Sequence, residues 1–195
     1  MKRMSKSVCT AILALWTTAA IAAAAKKPVE MKNGKPVYDV EALILRPATL
    51  NELYDTSDAI VDVQVASSEG KLVVGRFPRT FYTATVLRAF KGNLKTGQSV
   101  VFSQAAGEVE LPDKVLRNRD SHLLSAGERY IVFLRPHDPY GGYILTADRA
   151  GAFRVIHGRI EPQGDGALAD QQRNLTERQF GDEIEMIARR GKPKR

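Results

Sequence analysis

The stretch RTFYTATVLRAFKGNLKTGQSVVF, residues 79–102, most narrows the folds open to this chain. It is too rich in β-branched and aromatic residues for a stable surface helix. It reads as a long strand over Thr80–Phe90, a turn at Lys91-Gly92 and a second strand over Ser99–Gln104. Tyr82, Ala84, Val86 and Phe90 are expected on one face. Phe81 and Leu87 on the other predict partial cover on both sides, and Arg88 marks a rim.

More short strands flank this pair. AIVDVQV, 59–65, alternates so that Val61, Val63 and Val65 point one way and Asp62 and Gln64 the other. A Ser-Ser-Glu-Gly turn then leads to a strand over 71–76. RYIVFLR, 129–135, is a continuous apolar run, and strands over 143–147, 152–157 and 160–162 follow glycine and proline turns. Helix signals stand only at the two ends. Thr49 and Glu52 make a capping box for a short helix over 49–56. Thr176 and Gln179 make a second, with Leu175 and Phe180 as its hydrophobic staple. Phe180, Ile184 and Ile187 form one stripe of a helix over 177–190, with Gly191 placed to end it. The expectation is a mainly β fold: a small OB-like barrel over 48–162, with a short N-terminal helix and a C-terminal amphipathic helix packed on it.

The ends of the chain carry other information. Lys2, Arg3 and Lys6 precede an uncharged, apolar stretch from Val8 to Ala25, which closes in small residues. That order is the pattern of a secretory signal peptide, 1–25, and implies a periplasmic or secreted protein. Cleavage would remove three of the 29 basic residues, leaving 26 against 22 acidic, and also Cys9, the single cysteine. The mature chain would then hold no disulfide, so a hydrophobic core must stabilise it. Beyond the signal nothing is long and apolar enough to span a bilayer. Arg189, Arg190, Lys192, Lys194 and Arg195 concentrate charge in the tail, and the remaining body is close to neutral. Residues 26–47 read as a flexible arm leading to an extended segment over Tyr38–Leu45. Residues 163–174, QGDGALADQQRN, read as an exposed connecting loop ahead of the C-terminal helix and basic tail, 163–195 in all.

The order of DTSDAIVDVQV, VLRAFKG, GQSVVF and AGERYIVFL resembles a broad set of exported bacterial proteins. These are similar to the OB-fold-like barrel of tissue-inhibitor-of-metalloproteinase and netrin modules. The resemblance covers 48–157 and implies a fold. The animal inhibitors bind a protease's catalytic zinc through an N-terminal cysteine, and this chain has none after Cys9, so that mechanism does not transfer.

No catalytic motif stands out. His122, His137 and His157 lie in no zinc-binding spacing, and G-x-S-x-G is absent. No cofactor or metal is expected. The expected function is a non-enzymatic binding or interaction module whose partner is an envelope protein or polymer, with no nucleic-acid partner. Two alternatives are an envelope enzyme with its site in the 105–125 loop, and a polyanion-binding barrel using Tyr82 with Arg79 and Arg88. The candidate binding surface is AAGEVELPDKVLRNRDSHLLS, 105–125, too long for an ordinary barrel connection. Its charges are expected to separate, with Glu108, Glu110 and Asp113 at one end and Lys114, Arg117 and Arg119 at the other.

Overall fold

The computed structural model describes residues 28–40, 46–73, 77–118, 123–136 and 142–190. Residues 1–27, which include the stretch expected to be a signal peptide, 41–45, 74–76, Arg119–His122, His137–Gly141 and 191–195 lie outside the described residues.

The fold is mainly β, built on a closed five-stranded barrel. Its strands are numbered in chain order after a hairpin of β1 (Glu30–Lys32) and β2 (Lys35–Asp39). A short helix α1 (Leu50–Asp55) leads into β3 (Ala59–Val73), β4 (Phe77–Lys91) and β5 (Ser99–Gln104). A second hairpin, β6 (Gly107–Glu110) and β7 (Val115–Asn118), comes before β8 (Arg129–Pro136) and β9 (Tyr143–Leu145). Around the barrel the order is β3-β4-β5-β9-β8 and back to β3. One seam is parallel, with Phe102 opposite Tyr143; β8 and β9 close the ring antiparallel. This is an OB-like arrangement.

Beyond the barrel, β10 (Ala152–Ile156) pairs with β8, and β11 (Arg159–Pro162) pairs with β10. Helices α2 (Ala167–Gln172) and α3 (Glu177–Arg190) follow. The stretch 163–174 is thus no plain loop: Leu168, Ala169 and Gln172 of α2 are buried. Likewise Ser67–Gly70 does not turn. It belongs to a continuous fifteen-residue β3 that pairs with β4 along its length.

Two cores share the same strands. Val61, Val63, Val65, Tyr82, Ala84, Val86, Tyr130, Val132 and Leu134 fill the barrel. Ile60, Ile131, Phe133 and Phe153 point outward and meet Leu53, Leu168, Phe180 and Ile184 under the helices. That explains RYIVFLR: a strand buried on both faces needs no polar alternation. Both capping boxes form. Thr49 Oγ1 accepts the Glu52 amide at 3.2 Å, and Thr176 Oγ1 accepts the Gln179 amide at 3.2 Å. Gly92 turns with φ +90°, and a Cβ there would sit 2.8 Å from the Asp58 carbonyl oxygen, so the Lys-Gly turn requires glycine.

Phe90 departs from its expected face. The β3–β4 register shifts between Asp62 and Val63 and again between Ile60 and Val61, leaving Leu87 and Phe90 as extra residues of β4. Each bulge reverses the side on which later side chains fall. Phe90 therefore joins the outer cluster under α3 rather than the barrel interior. Leu87, expected to be partly covered, is 38% exposed.

Candidate functional site

The 105–125 segment is no loose loop. Gly107–Glu110 and Val115–Asn118 form the hairpin β6–β7, and the 26–37 stretch, expected as a flexible arm, supplies β1–β2 from Glu30 onward. The four strands make a second sheet in the order β1-β2-β7-β6. Asn33 and Gly34, at φ 51° and 76°, close the first hairpin with the left-handed pair that a two-residue turn requires. β2 and β7 run parallel, with Val37 opposite Val115 and Asp39 opposite Arg117.

This sheet is moored at one end of the barrel by a buried polar network. The Thr80 hydroxyl donates to the Ala106 carbonyl at 3.0 Å, and Asn118 Nδ2 donates to the Ala105 carbonyl at 2.7 Å. The Ala105 amide reaches Asp148 at 3.0 Å. The Tyr82 hydroxyl donates to Gln104 at 3.0 Å and accepts the Leu124 amide at 3.2 Å. Gly107 enters at φ +95°, where a Cβ would lie 2.5 Å from Thr80 Oγ1. Burial pushes the Tyr82 hydroxyl well above its ordinary range.

The charges of the segment are brought together rather than held apart. Glu108 stands directly opposite Arg117 in the β6–β7 register. Arg117 pairs with Glu30 and Asp39, Glu110 with Lys35 at 2.6 Å, and Asp113 with its neighbour Lys114 at 3.6 Å. Arg119 lies outside the described residues. Glu108 pairs with Lys32, although β1 and β6 are opposite edges of the sheet. In a flat sheet three strand spacings, about 14 Å, would separate those edges. The pair therefore requires a strongly coiled sheet, and the coil covers Val37 and Val115, both 0% exposed. The Lys35 hydrogen bond, then its charge, holds the Glu110 carboxyl below the usual carboxylate range.

The opposite face carries Met31 opposite Pro36, and Tyr38, Leu116 and Val109 in one register row. At β6 it packs on the extended β3–β4 hairpin, where a Cβ on Gly70 would stand 3.1 Å from the Glu108 carbonyl oxygen. Leu116 is buried there. At β1 the cover ends: Val29 is 46% and Met31 65% exposed, on an edge strand.

The other candidates fall differently. Tyr82 is fully buried and cannot stack on a base, while Arg79 bonds Ser103 and Arg88 pairs with Glu185 and lies 4.5 Å over the Phe90 ring. The proposed polyanion group is therefore not assembled. His122 and His137 lie outside the described residues, and His157 is exposed in the β10–β11 turn. Among the described residues no three His, Cys, Asp or Glu side chains are grouped to hold a metal ion. No helix among them is long and apolar enough to cross a membrane. Compared with known families and curated proteins, the chain matches no family model and no curated sequence.

Asp62 takes the face opposite Val61 and Val63, as alternation expects, but that outer face is covered: it is 2% exposed, and Arg129 clasps both its oxygens. Arg129 also reaches Glu177 in the first turn of α3, tying the helix to the barrel wall. These hydrogen bonds, that to Asp62 first, raise the guanidinium further above its ordinary range.

Proposed function

We propose that this chain is an exported, non-enzymatic binding module of the periplasm or cell exterior, built like the barrel of the inhibitor and netrin modules. Its contact surface is the coiled four-stranded sheet that contains the 105–125 hairpin. The partner is an envelope protein that lays an extended segment along the β1 edge. The observation that carries this reading is the apolar face, which is covered at β6–β7 but runs out uncovered at Val29 and Met31. An open strand edge offers unpaired backbone groups, and alternating side chains supply the specificity of strand addition. Asp113 and Lys114, at the β6–β7 turn, contribute charged rim positions. Glu108, Glu110 and Arg117 act as latches that hold the sheet in shape.

Two measurements test the reading. Mass spectrometry of the protein from its native-type host should place the N-terminus within about two residues of Lys26. A chain carrying both Val29→Lys and Met31→Lys should lose a partner that the unaltered chain captures from envelope extract, with its thermal transition unchanged. Equal capture by the altered chain would refute the placement of the surface.

A further inference from the structure

The chain holds five asparagines, Asn33, Asn51, Asn93, Asn118 and Asn174, and only Asn33 is followed by glycine. An asparagine amide is chemically labile because the next residue's backbone nitrogen can attack its side-chain carbon. A side chain on that next residue obstructs the attack, and glycine does not. Asn51, Asn93 and Asn174 are exposed as well, but Glu52, Leu94 and Leu175 follow them.

The fold presents Asn33 and Gly34 to solvent. They form the tip between β1 and β2, both are exposed, and nothing stands within 4 Å of where a Gly34 Cβ would lie. Lys32 and Lys35 make the last ladder pair, so the Gly34 amide lies beyond the ladder. β1 is three residues long and stands at the edge of its sheet, so this tip opens locally at little cost. The tip also touches a latch of the sheet. The Lys35 hydrogen bond and charge chiefly hold the Glu110 carboxyl ionised, and the Asn33 side chain adds to that hold.

We propose that Asn33 is a site of spontaneous deamidation in the folded protein, and that its isoaspartyl product undoes the β1–β2 turn. Hydroxide removes the Gly34 amide proton, and the nitrogen attacks Asn33 Cγ. The Cγ–Nδ2 bond breaks and ammonia leaves, which closes a cyclic imide. Water then opens the imide at either carbonyl carbon. One opening gives aspartate; the other gives isoaspartate, whose main chain runs through Cβ. The balance is one water consumed and one ammonia released, with nothing oxidised or reduced. Either product sets a carboxylate near Glu110 where a neutral amide stood. Isoaspartate also lengthens the backbone, so a turn built on two left-handed residues no longer brings Lys32 opposite Lys35. This chemistry needs no partner at the β1 edge, so it holds or fails independently of binding there.

The test incubates the folded protein and a synthetic peptide of residues 31–36 side by side in mildly alkaline buffer. Peptide mapping by mass spectrometry should show a gain of about 1 Da at Asn33, in separable aspartyl and isoaspartyl forms, with Asn51, Asn93 and Asn174 unchanged. The folded chain should react within about tenfold of the free peptide's rate. The isoaspartyl form, isolated by chromatography, should lose exchange protection at the Val29 amide, which bonds the Val37 carbonyl at 2.9 Å, while its Tm stays unchanged. A folded rate more than about tenfold below the peptide's would show that the hairpin shields Asn33 and would overturn the site. An equal gain at Asn51, Asn93 or Asn174 would overturn the role given to Gly34. Full protection at Val29 in the isoaspartyl form would overturn the effect on the turn.

Discussion

Replacing Arg129 by methionine tests whether the helical layer is locked to the barrel by charge. The substitution keeps the aliphatic stem but removes the guanidinium that clasps Asp62 and Glu177. Glu177 is about one-third exposed and can turn to water, so its share is at most about 1 kcal/mol. Asp62, at 2% exposure, has no such escape. An uncompensated buried carboxylate costs about 3–5 kcal/mol. The total expected loss is therefore about 4 kcal/mol, read as a lower urea midpoint at unchanged slope by circular dichroism. Asp62→Leu combined with Arg129→Met should recover much of the loss, because no charge is then stranded. A deficit under about 1 kcal/mol for Arg129→Met would refute the claim that Asp62 depends on this partner.

Three further outcomes are expected. Phe180→Ala should cost about 3–5 kcal/mol in chemical denaturation, because the ring is fully buried and packs 4.7 Å from Phe153 and 6.5 Å from Phe133 between centroids; a loss below about 1 kcal/mol would make α3 peripheral. Burial raises the Tyr82 and Tyr130 hydroxyls, so the folded state keeps protons that the unfolded state releases. Stability should be flat in this respect below about pH 10 and fall beyond it by up to ~1.4 kcal/mol per pH unit for each tyrosine, with Tyr82→Phe removing its share of the slope in alkaline unfolding curves. Replacing 106–122 by a short Gly-Ser linker should strip exchange protection from the amides of β2, since Val37 loses its cover at Val115; unchanged protection there would mean β1–β2 stands without the hairpin.

Features that depend on a few adjacent residues were legible in the sequence. Both capping boxes, the Lys91-Gly92 turn and the apolar stripe of α3 are settled within one or two helical turns of chain. The RYIVFLR run was legible as a continuous apolar strand, but its burial on both faces depends on cover that comes from the two ends of the sequence. The accessory sheet was hidden because its strands are short and charge-rich, and its apolar residues gain burial only when four segments from distant positions coil together. One strong local signal was present all the same: Asn33-Gly34, a hairpin turn pair inside a stretch whose prolines and lysines suggested an arm. The two bulges in β4 carry no comparable mark, and without them period-two reasoning puts Phe90 inside the barrel. Asp62 misled for a related reason. Alternation tells which face a residue takes, not whether a helix will later cover that face.

The two attachments to the barrel differ in how they share its stability. β3 and β8 place alternate side chains in both cores, Val61 and Val132 inward, Ile60 and Phe133 outward. Removing the helical layer would expose the strands that close the barrel, so these parts should unfold as one cooperative unit. The four-stranded sheet adds few side chains to either core. It is held by hydrogen bonds at Thr80 and Asn118 and by ion pairs with solvent access, which water screens and which therefore add little. Local opening of this sheet therefore costs less than global unfolding. Lowering the pH through the Glu110 carboxyl, which Lys35 holds below its usual range, removes one latch while the barrel keeps both cores. The strand addition proposed for the β1 edge needs a surface that yields without unfolding its support, and local opening of the β1–β2 side would allow that.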